Sequence, residues 1–183
     1  MQARQRFSST NLTENLKRAI RDVPDFPKPG IVFKDITPVL ADAELFRETT
    51  EAMAAPFIDA KISAVVGVES RGFIFGAPIA LLLGAGFTPV RKPGKLPHRT
   101  AAAEYALEYG TDRLEIHADA CRPDARVLVV DDVLATGGTA AATCRLVEGL
   151  SGVVVGCSFL IALSFLPGLS ALSGRRVEAL VTY

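Results

Sequence analysis

Residues 126–140 read Arg-Val-Leu-Val-Val-Asp-Asp-Val-Leu-Ala-Thr-Gly-Gly-Thr-Ala, and this stretch decides the fold of the chain. The unbroken aliphatic run at 127–130 predicts a strand that is buried on both faces. Asp131 and Asp132 follow at once, where that strand should end. The small residues at 135–139 predict a loop whose backbone N–H groups can approach a ligand closely. A helix after this loop would present its positive N-terminal end to the same ligand.

An acid pair followed by an anion cradle predicts a ligand that carries both hydroxyls and a phosphate, as a ribose 5-phosphate does. The alternative is a strand, a tight turn and a helix-capping threonine without any ligand. We favour the ligand site because a buried sheet rarely places two adjacent acids at a strand tip without a use for them. A P-loop nucleotide site is disfavoured because no Gly-Lys-Ser/Thr follows the glycines.

Strands that alternate with helices along the chain predict an α/β fold with a mostly parallel sheet. Length and composition predict a single domain over residues 1–183, and the cysteines favour the cytoplasm. Hydrophobic residues make up 49% of the 183-residue chain, which is enough for a sizeable core. The 20 basic and 20 acidic residues cancel, which argues against a nucleic-acid or membrane-surface partner. The three cysteines lack CxxC spacing and are expected to be reduced, mostly buried thiols. A secretory signal is not expected, because residues 1–9 contain no apolar run.

One uncharged segment, 149–174, raises the alternative of a membrane span. Pro167 and several glycines interrupt it, so we interpret it as a buried strand, a turn and a short helix. The chain has two histidines, which makes a histidine-rich metal site improbable.

Two earlier segments repeat the plan of a buried strand with polar residues at its end. Residues 62–68 lead into Glu69-Ser70-Arg71-Gly72, and a short strand at 86–90 leads into Arg91 and Lys92. Because ligands gather at the carboxyl ends of parallel strands, these tips are expected to converge on one pocket. Cations there suit a pyrophosphate. The alternatives are an exposed Arg71 paired with Glu69, and a solvated Arg91 and Lys92.

Two further segments are predicted to cover that pocket. The proline-flanked apolar loop at 25–35 is expected to form a stiff hood over a flat aromatic ligand, with Phe26 or Phe33 near it. The alternative is a loop tucked onto the core. The alternation of apolar and polar residues around Tyr105, Leu114 and Ile116 predicts a hairpin arm that can open and close.

Taken together, these motifs resemble those of the adenine phosphoribosyltransferases, within the type I phosphoribosyltransferase family. The segments that carry the resemblance are 25–40, 67–76, 91–97, 107–110 and 127–139. The resemblance implies a mostly parallel central sheet with flanking helices, a small hood at about 24–36 and a flexible arm at about 93–120. It implies transfer of the phosphoribosyl group of phosphoribosyl pyrophosphate (PRPP) to adenine, giving AMP and pyrophosphate in purine salvage. Mg²⁺ is the implied cofactor, and a homodimer is the implied assembly.

The resemblance also assigns roles to residues of this chain. Asp131 and Asp132 would hold the ribose hydroxyls directly or through Mg²⁺-bound water, without a direct metal ligand being implied. The 5-phosphate would be held by Ala135, Thr136, Gly137, Gly138 and Thr139. The pyrophosphate would be held by Ser70, Arg71, Arg91 and Lys92, with Arg91 serving its own or the partner subunit's site. The Glu69–Ser70 peptide bond is expected to be cis.

For the base and the reaction, the resemblance implies a second set of residues. Adenine would be lined by Phe26, Val32, Phe33 and Lys34. The catalytic residues would be Arg71, Glu108 and Tyr109, the last two on the arm. Glu108 would either help remove the N9 proton of adenine or oppose the developing ribose charge. The alternatives are a phosphoribosyltransferase for hypoxanthine, guanine or xanthine, and a PRPP-sensing regulator without catalysis.

Overall fold

The computed structural model of the chain describes residues 9–106 and 111–183. The chain divides into two compact units, Met1–Thr50 and Glu51–Tyr183. The expectation of a single domain over residues 1–183 stays a prediction, and each unit is described by itself.

The first unit carries the hood. Its elements are α1 (Ser9–Ala19), β1 (Arg21–Pro24), β2 (Val32–Asp35), α2 (Thr37–Ala41) and most of α3 (Ala43–Ala54). Strands β1 and β2 pair antiparallel, with Arg21 opposite Asp35. Leu16 is buried on α1 as its helical spacing predicts.

The second unit is built on a parallel sheet. Its elements are a 3-10 helix (Ala55–Ala60), β3 (Ala64–Val68), α4 (Gly72–Leu83), β4 (Gly86–Val90), β5 (Thr100–Ala106), β6 (Thr111–His117), β7 (Arg126–Leu134), α5 (Gly138–Gly149), β8 (Val153–Ala162), α6 (Gly168–Ala171) and β9 (Val177–Thr182). Within the described residues, five strands form this sheet in the order β4-β3-β7-β8-β9, and every neighbouring pair is parallel. The predicted mostly parallel α/β fold is therefore confirmed.

The core of this unit explains why these segments become strands. All residues of β3 are buried, and the aliphatic start of β7 is buried as well. Helices α4 and α5 cover the sheet, because their small and apolar side chains pack against the strands. Val68 lies opposite Val90, and Gly67 lies opposite Val130. The residues that follow these positions therefore emerge side by side at one edge of the sheet.

The hairpin arm consists of β5 and β6, which pair antiparallel from Thr100 opposite His117 to Ala106 opposite Thr111. Leu114 and Ile116 are buried in the main core of this unit. Backbone hydrogen bonds between Arg91 and Glu115 attach the arm to the end of β4. The predicted hairpin is present, and its ability to open and close stays a prediction.

The uncharged segment 149–174 contains β8 and α6. Across 9–106 and 111–183, none of the helices has both the length and the apolar character needed to span a membrane. Cys144 and Cys157 are buried and Cys121 is partly buried. All three are free cysteines that form no disulfide within the described residues.

Candidate active site

The acid pair lies inside a strand rather than after its end. Strand β7 continues to Leu134 because it stays paired with β8, with Asp131 opposite Phe159. Its pairing with β3 stops one residue earlier, at Val130. The expected end of the strand before the acids is therefore wrong. Where the acids begin, β7 nevertheless no longer pairs with β3. Asp132 is buried at this point.

Arg71 joins the two predicted motifs. Its Nε lies 2.9 Å from Asp132 Oδ2, in an ion pair whose carboxylate is almost fully buried and whose guanidinium reaches solvent. Asp132 Oδ2 has no hydrogen-bond partner within the described residues, so this contact is one of charge without hydrogen-bond geometry. Arg71 is thus placed to meet a solvent-borne anion while it offsets a buried acid.

Gly72 makes this close approach of α4 to β7 possible. A Cβ added at Gly72 would lie 2.7 Å from Val130 O and 3.0 Å from Asp131 Oδ1. Real Cβ atoms do not come this near to a backbone oxygen. A side chain here would push the start of α4, and Arg71 with it, away from the acid pair.

The electrostatics of the acid pair favour a cation or hydroxyl donors. Burial first, and the neighbouring Asp132 charge second, raise the pKa of Asp131 well above its usual range. Burial also raises the pKa of Asp132, and the Arg71 charge counteracts part of that rise. Part of Asp131 remains exposed, but its carboxylate is enclosed by protein on the side of Gly72. Arg71 offsets only part of the negative charge of the pair, and a ligand can supply the rest of the compensating positive charge.

The small-residue loop leads directly into α5. The helix begins at Gly138 rather than after the loop, and Gly137 at its N-cap adopts a left-handed φ of 82°. A Cβ on Gly137 would lie 2.8 Å from Gly168 O, so the loop is packed tightly on its inner side. The alternative of a helix-capping threonine without a ligand is not what the structure has: no side-chain hydrogen bond caps the start of α5 within the described residues. Its first N–H groups can therefore be used by an anion.

The basic tip of β4 is organised by a residue that the sequence did not single out as functional. Glu69 accepts hydrogen bonds from Arg91 Nε at 3.2 Å and from the Lys92 N–H at 3.0 Å, and it forms an ion pair with Lys95. Burial alone would raise the pKa of Glu69, but these partners outweigh it and lower the pKa. The only signal in the sequence was that Glu69 stands two residues before Arg71. It suggested a pair between Glu69 and Arg71 and not one with Arg91.

The end of the arm that carries Tyr105 and Asp112 also reaches this tip. The Lys92 Nζ lies 3.2 Å from Asp112 Oδ2, which accepts a hydrogen bond of 3.0 Å from the Tyr105 hydroxyl. These contacts connect the arm to the basic tip of β4. Sequence reasoning missed Asp112 because a turn acid carries no distinguishing pattern.

The predicted adenine residues belong to the first unit. The rings of Phe26 and Phe33 meet edge to face, with centroids 5.2 Å apart. Half of the Phe26 and Val32 surfaces is exposed, so the loop is not simply tucked onto the core. The Lys34 Nζ bonds to Asp22 Oδ1 at 2.6 Å, which leaves its backbone as the part available to a base.

The remaining predicted residues are placed as follows. Ser70 is exposed at the start of the turn before α4, and the Glu69–Ser70 peptide bond is cis as expected. Glu108 and Tyr109 lie outside the described residues. Among the residues that are described, no group of three or more His, Cys, Asp or Glu side chains is placed to hold a metal ion.

Comparisons with known proteins agree with this geometry. The family model for the phosphoribosyl transferase domain matches residues 40–164. The adenine phosphoribosyltransferase of Myxococcus xanthus is 60% identical over 177 residues, covering 97% of this chain and 96% of the relative.

Solved structures give the same result. The crystal structure of adenine phosphoribosyltransferase from Rhodothermus marinus has a TM-score of 0.91 and 56% identity, covering 95% of this chain and 99% of that chain. The Saccharomyces cerevisiae enzyme, complexed with an imino-altritol bisphosphate and adenine, has a TM-score of 0.89 and 42% identity over 93% of this chain and 99% of its own. A parallel sheet that brings an acid pair, a small-residue anion loop and a basic tip to one edge, in a sequence this similar, places the chain in the adenine phosphoribosyltransferase family.

Proposed function

We propose that this chain transfers the 5-phosphoribosyl group from PRPP to adenine, releasing AMP and pyrophosphate as a step of purine salvage. The observation that carries the proposal is the Arg71–Asp132 contact of 2.9 Å, which joins a cation to the acid pair beside the small-residue loop. One edge of the sheet thus carries hydrogen-bond acceptors for ribose hydroxyls and hydrogen-bond donors for anions. PRPP requires both.

Each part of PRPP has residues suited to it. Asp131 and Asp132 accept hydrogen bonds from the ribose hydroxyls, since an acid pair short of positive charge gains from such donors. The 5-phosphate lies over the loop 135–139, where the N–H groups at the start of α5 meet it. Ser70, Arg71, Arg91 and Lys92 hold the pyrophosphate.

The acid pair also fits Mg²⁺. Two adjacent carboxylates, one with a buried oxygen lacking a hydrogen-bond donor in the described chain, match a hard cation that takes its other ligands from substrate oxygens and water. Bound Mg²⁺ supplies charge neutralisation to the leaving pyrophosphate. The chain's own contribution is to place Asp131 and Asp132 where they hold such a cation or its water ligands.

The reaction substitutes the base for pyrophosphate at the anomeric carbon. Negative charge grows on the leaving group, and the guanidinium groups of Arg71 and Arg91 stabilise it, a contact of this kind contributing about 3 kcal/mol. Closure of the arm excludes water that would otherwise hydrolyse PRPP. We also assign Tyr109 to this arm. Glu108 either accepts the N9 proton of adenine or opposes the positive charge that develops on the ribose.

The hood provides the base site. The edge-to-face pair of Phe26 and Phe33 offers a flat apolar wall, and the backbone from Val32 to Lys34 can read the edge of the purine. Adenine donates from its 6-amino group and accepts at N1, whereas hypoxanthine reverses that edge. Each backbone group left unpaired by hypoxanthine costs about 1–3 kcal/mol.

Both compact units serve this one activity as a single functional domain, in a cytoplasmic homodimer. Exposed apolar side chains on α4 support the dimer: Leu81 is 83% exposed and Leu82 is 52% exposed. The unpaired cysteines support a reducing compartment.

The test is a competition assay in which PRPP and Mg²⁺ are supplied with adenine and hypoxanthine together, and both nucleotides are quantified. We expect AMP as the main product and no turnover after Mg²⁺ is removed with a chelator. Faster conversion of hypoxanthine would favour another purine transferase. Binding of PRPP by calorimetry without any nucleotide formation would favour a sensor.

A further inference from the structure

Glu69 lies at the junction of the two cationic tips. It follows β3 directly and precedes Ser70 and Arg71, and its side chain is 12% exposed. Its Oε2 accepts from Arg91 Nε and from the Lys92 N–H, and its Oε1 faces the Lys95 ammonium. Both carboxylate oxygens are therefore committed to the basic tip of β4.

The cations around Glu69 are more exposed than the carboxylate that holds them. The Arg91 side chain is 34% exposed and the Lys95 side chain is 46% exposed. The Glu69 carboxylate is more buried than these two cations, and the positive groups of Arg91 and Lys95 reach solvent. An anion arriving from solvent meets Arg91 and Lys95 without displacing Glu69.

A second buried acid fixes the rest of this loop. Glu115, on β6, accepts a hydrogen bond of 3.2 Å from the Gly94 N–H, and its backbone pairs with Arg91. Gly94 adopts a left-handed φ of 75°, which allows the loop to turn back between the two acids. The loop is therefore held from both sides, with Glu69 bound to the Arg91 and Lys95 side chains and Glu115 bound to the Gly94 backbone.

We propose that Glu69 is a positioning residue, which holds Arg91 and Lys95 in place for the pyrophosphate end of PRPP. This proposal rests on the proposed function. Two like charges at one tip repel each other and would spread into solvent, and a shared carboxylate keeps them together. Their joint placement before the ligand arrives lowers the entropy lost on binding.

The experiment measures binding of inorganic pyrophosphate, with Mg²⁺, to the full chain by calorimetry. The variants are Glu69→Ala and Glu69→Gln, and the control is Glu148→Ala, which removes an acid paired with Arg175. We expect Glu69→Ala to weaken pyrophosphate binding about tenfold or more, since charge-assisted bonds are lost. Glu69→Gln keeps one acceptor oxygen and should weaken it about threefold. AMP binding and the control should stay within about twofold of the unmodified chain.

Steady-state kinetics provide a second measurement, which would not change if Glu69 had only a structural role. The KM for PRPP should rise in both variants while kcat changes less, because Glu69 acts through the cations that bind the ground state. Thermal melting confirms folding, and if Glu69→Ala does not fold, Glu69→Gln decides the matter.

Pyrophosphate binding by the Glu69 variants that is unchanged or tighter would overturn the proposal, because the carboxylate would then only compete with the anion. Failure of the unmodified chain to bind pyrophosphate at all would overturn the proposed function itself, and this inference with it.

Discussion

Replacing Gly72 by alanine tests how closely the start of α4 must approach β7. The added Cβ would stand 2.7 Å from Val130 O and 3.0 Å from Asp131 Oδ1. The first of these is a backbone oxygen in the centre of the sheet and cannot move aside. The helix must therefore shift outward, which lengthens the 2.9 Å contact between Arg71 and Asp132.

The magnitude follows from overpacking and from the loss of one preorganised charge contact. Overpacking costs about 1–3 kcal/mol. For a chain of this size, each kcal/mol lowers Tm by about 2–4 °C. Displacement of a guanidinium by a fraction of an ångström to 1 Å lowers kcat/KM for PRPP about 10- to 100-fold. Calorimetric melting and steady-state AMP formation measure the two effects on the same sample.

Gly149→Ala is the matched control, because Gly149 also belongs to a helix and a Cβ there meets nothing within 4 Å. We expect its activity to be unchanged and its stability equal or slightly higher, by up to about 1 kcal/mol. A Gly72→Ala variant with the Tm and kcat/KM of the unmodified chain would refute the argument that this glycine sets the position of Arg71.

Four further predictions concern the same site. The double change Asp131→Asn/Asp132→Asn should lower kcat/KM for PRPP about 100-fold while the fold persists, as seen by circular dichroism. Since both aspartate pKa values are raised in the folded state, the unmodified chain binds more protons folded than unfolded and loses stability as pH rises through the raised values. Urea unfolding should show this loss as the pH rises above the ordinary aspartate range, and it should shrink in the double variant; an equal loss in both would contradict the assignment. Tyr105→Phe removes the 3.0 Å bond to Asp112 and should cost about 1 kcal/mol in urea unfolding, with no loss counting against the connection. Gly137→Ala combines a left-handed φ with a clash and should lower both Tm and PRPP affinity; unchanged affinity measured by calorimetry would separate this loop from phosphate binding.

Several features could be predicted from local sequence because they depend on local burial. The aliphatic runs before Asp131 and before Glu69 became β7 and β3, because strands buried on both faces of a parallel sheet favour such runs. The alternating pattern of the arm became β5 and β6 for the related reason that one face is buried. Tips of parallel strands meet at one edge, so the sequence could predict the edge of the sheet where a site is expected.

Boundaries and partners were harder to predict. The strand carrying Asp131 ran on to Leu134 because β8 supplied a hydrogen-bonding neighbour that no local pattern shows. Glu69 stands two residues from Arg71, yet it holds Arg91, which is 22 residues away. Side chains on consecutive residues of a tight turn point apart, whereas adjacent strands bring distant residues together.

By itself, the sequence determined that this chain has buried parallel strands, an acid pair, a glycine-rich anion loop and a basic tip, because these depend on residue type and short-range spacing. Tertiary structure decided the strand order, the burial of Asp132 against Arg71 and the hydrogen bonds between Glu69 and the basic tip of β4. Those depend on which distant segments come into contact, and contact between distant segments is set by the packing of the whole sheet.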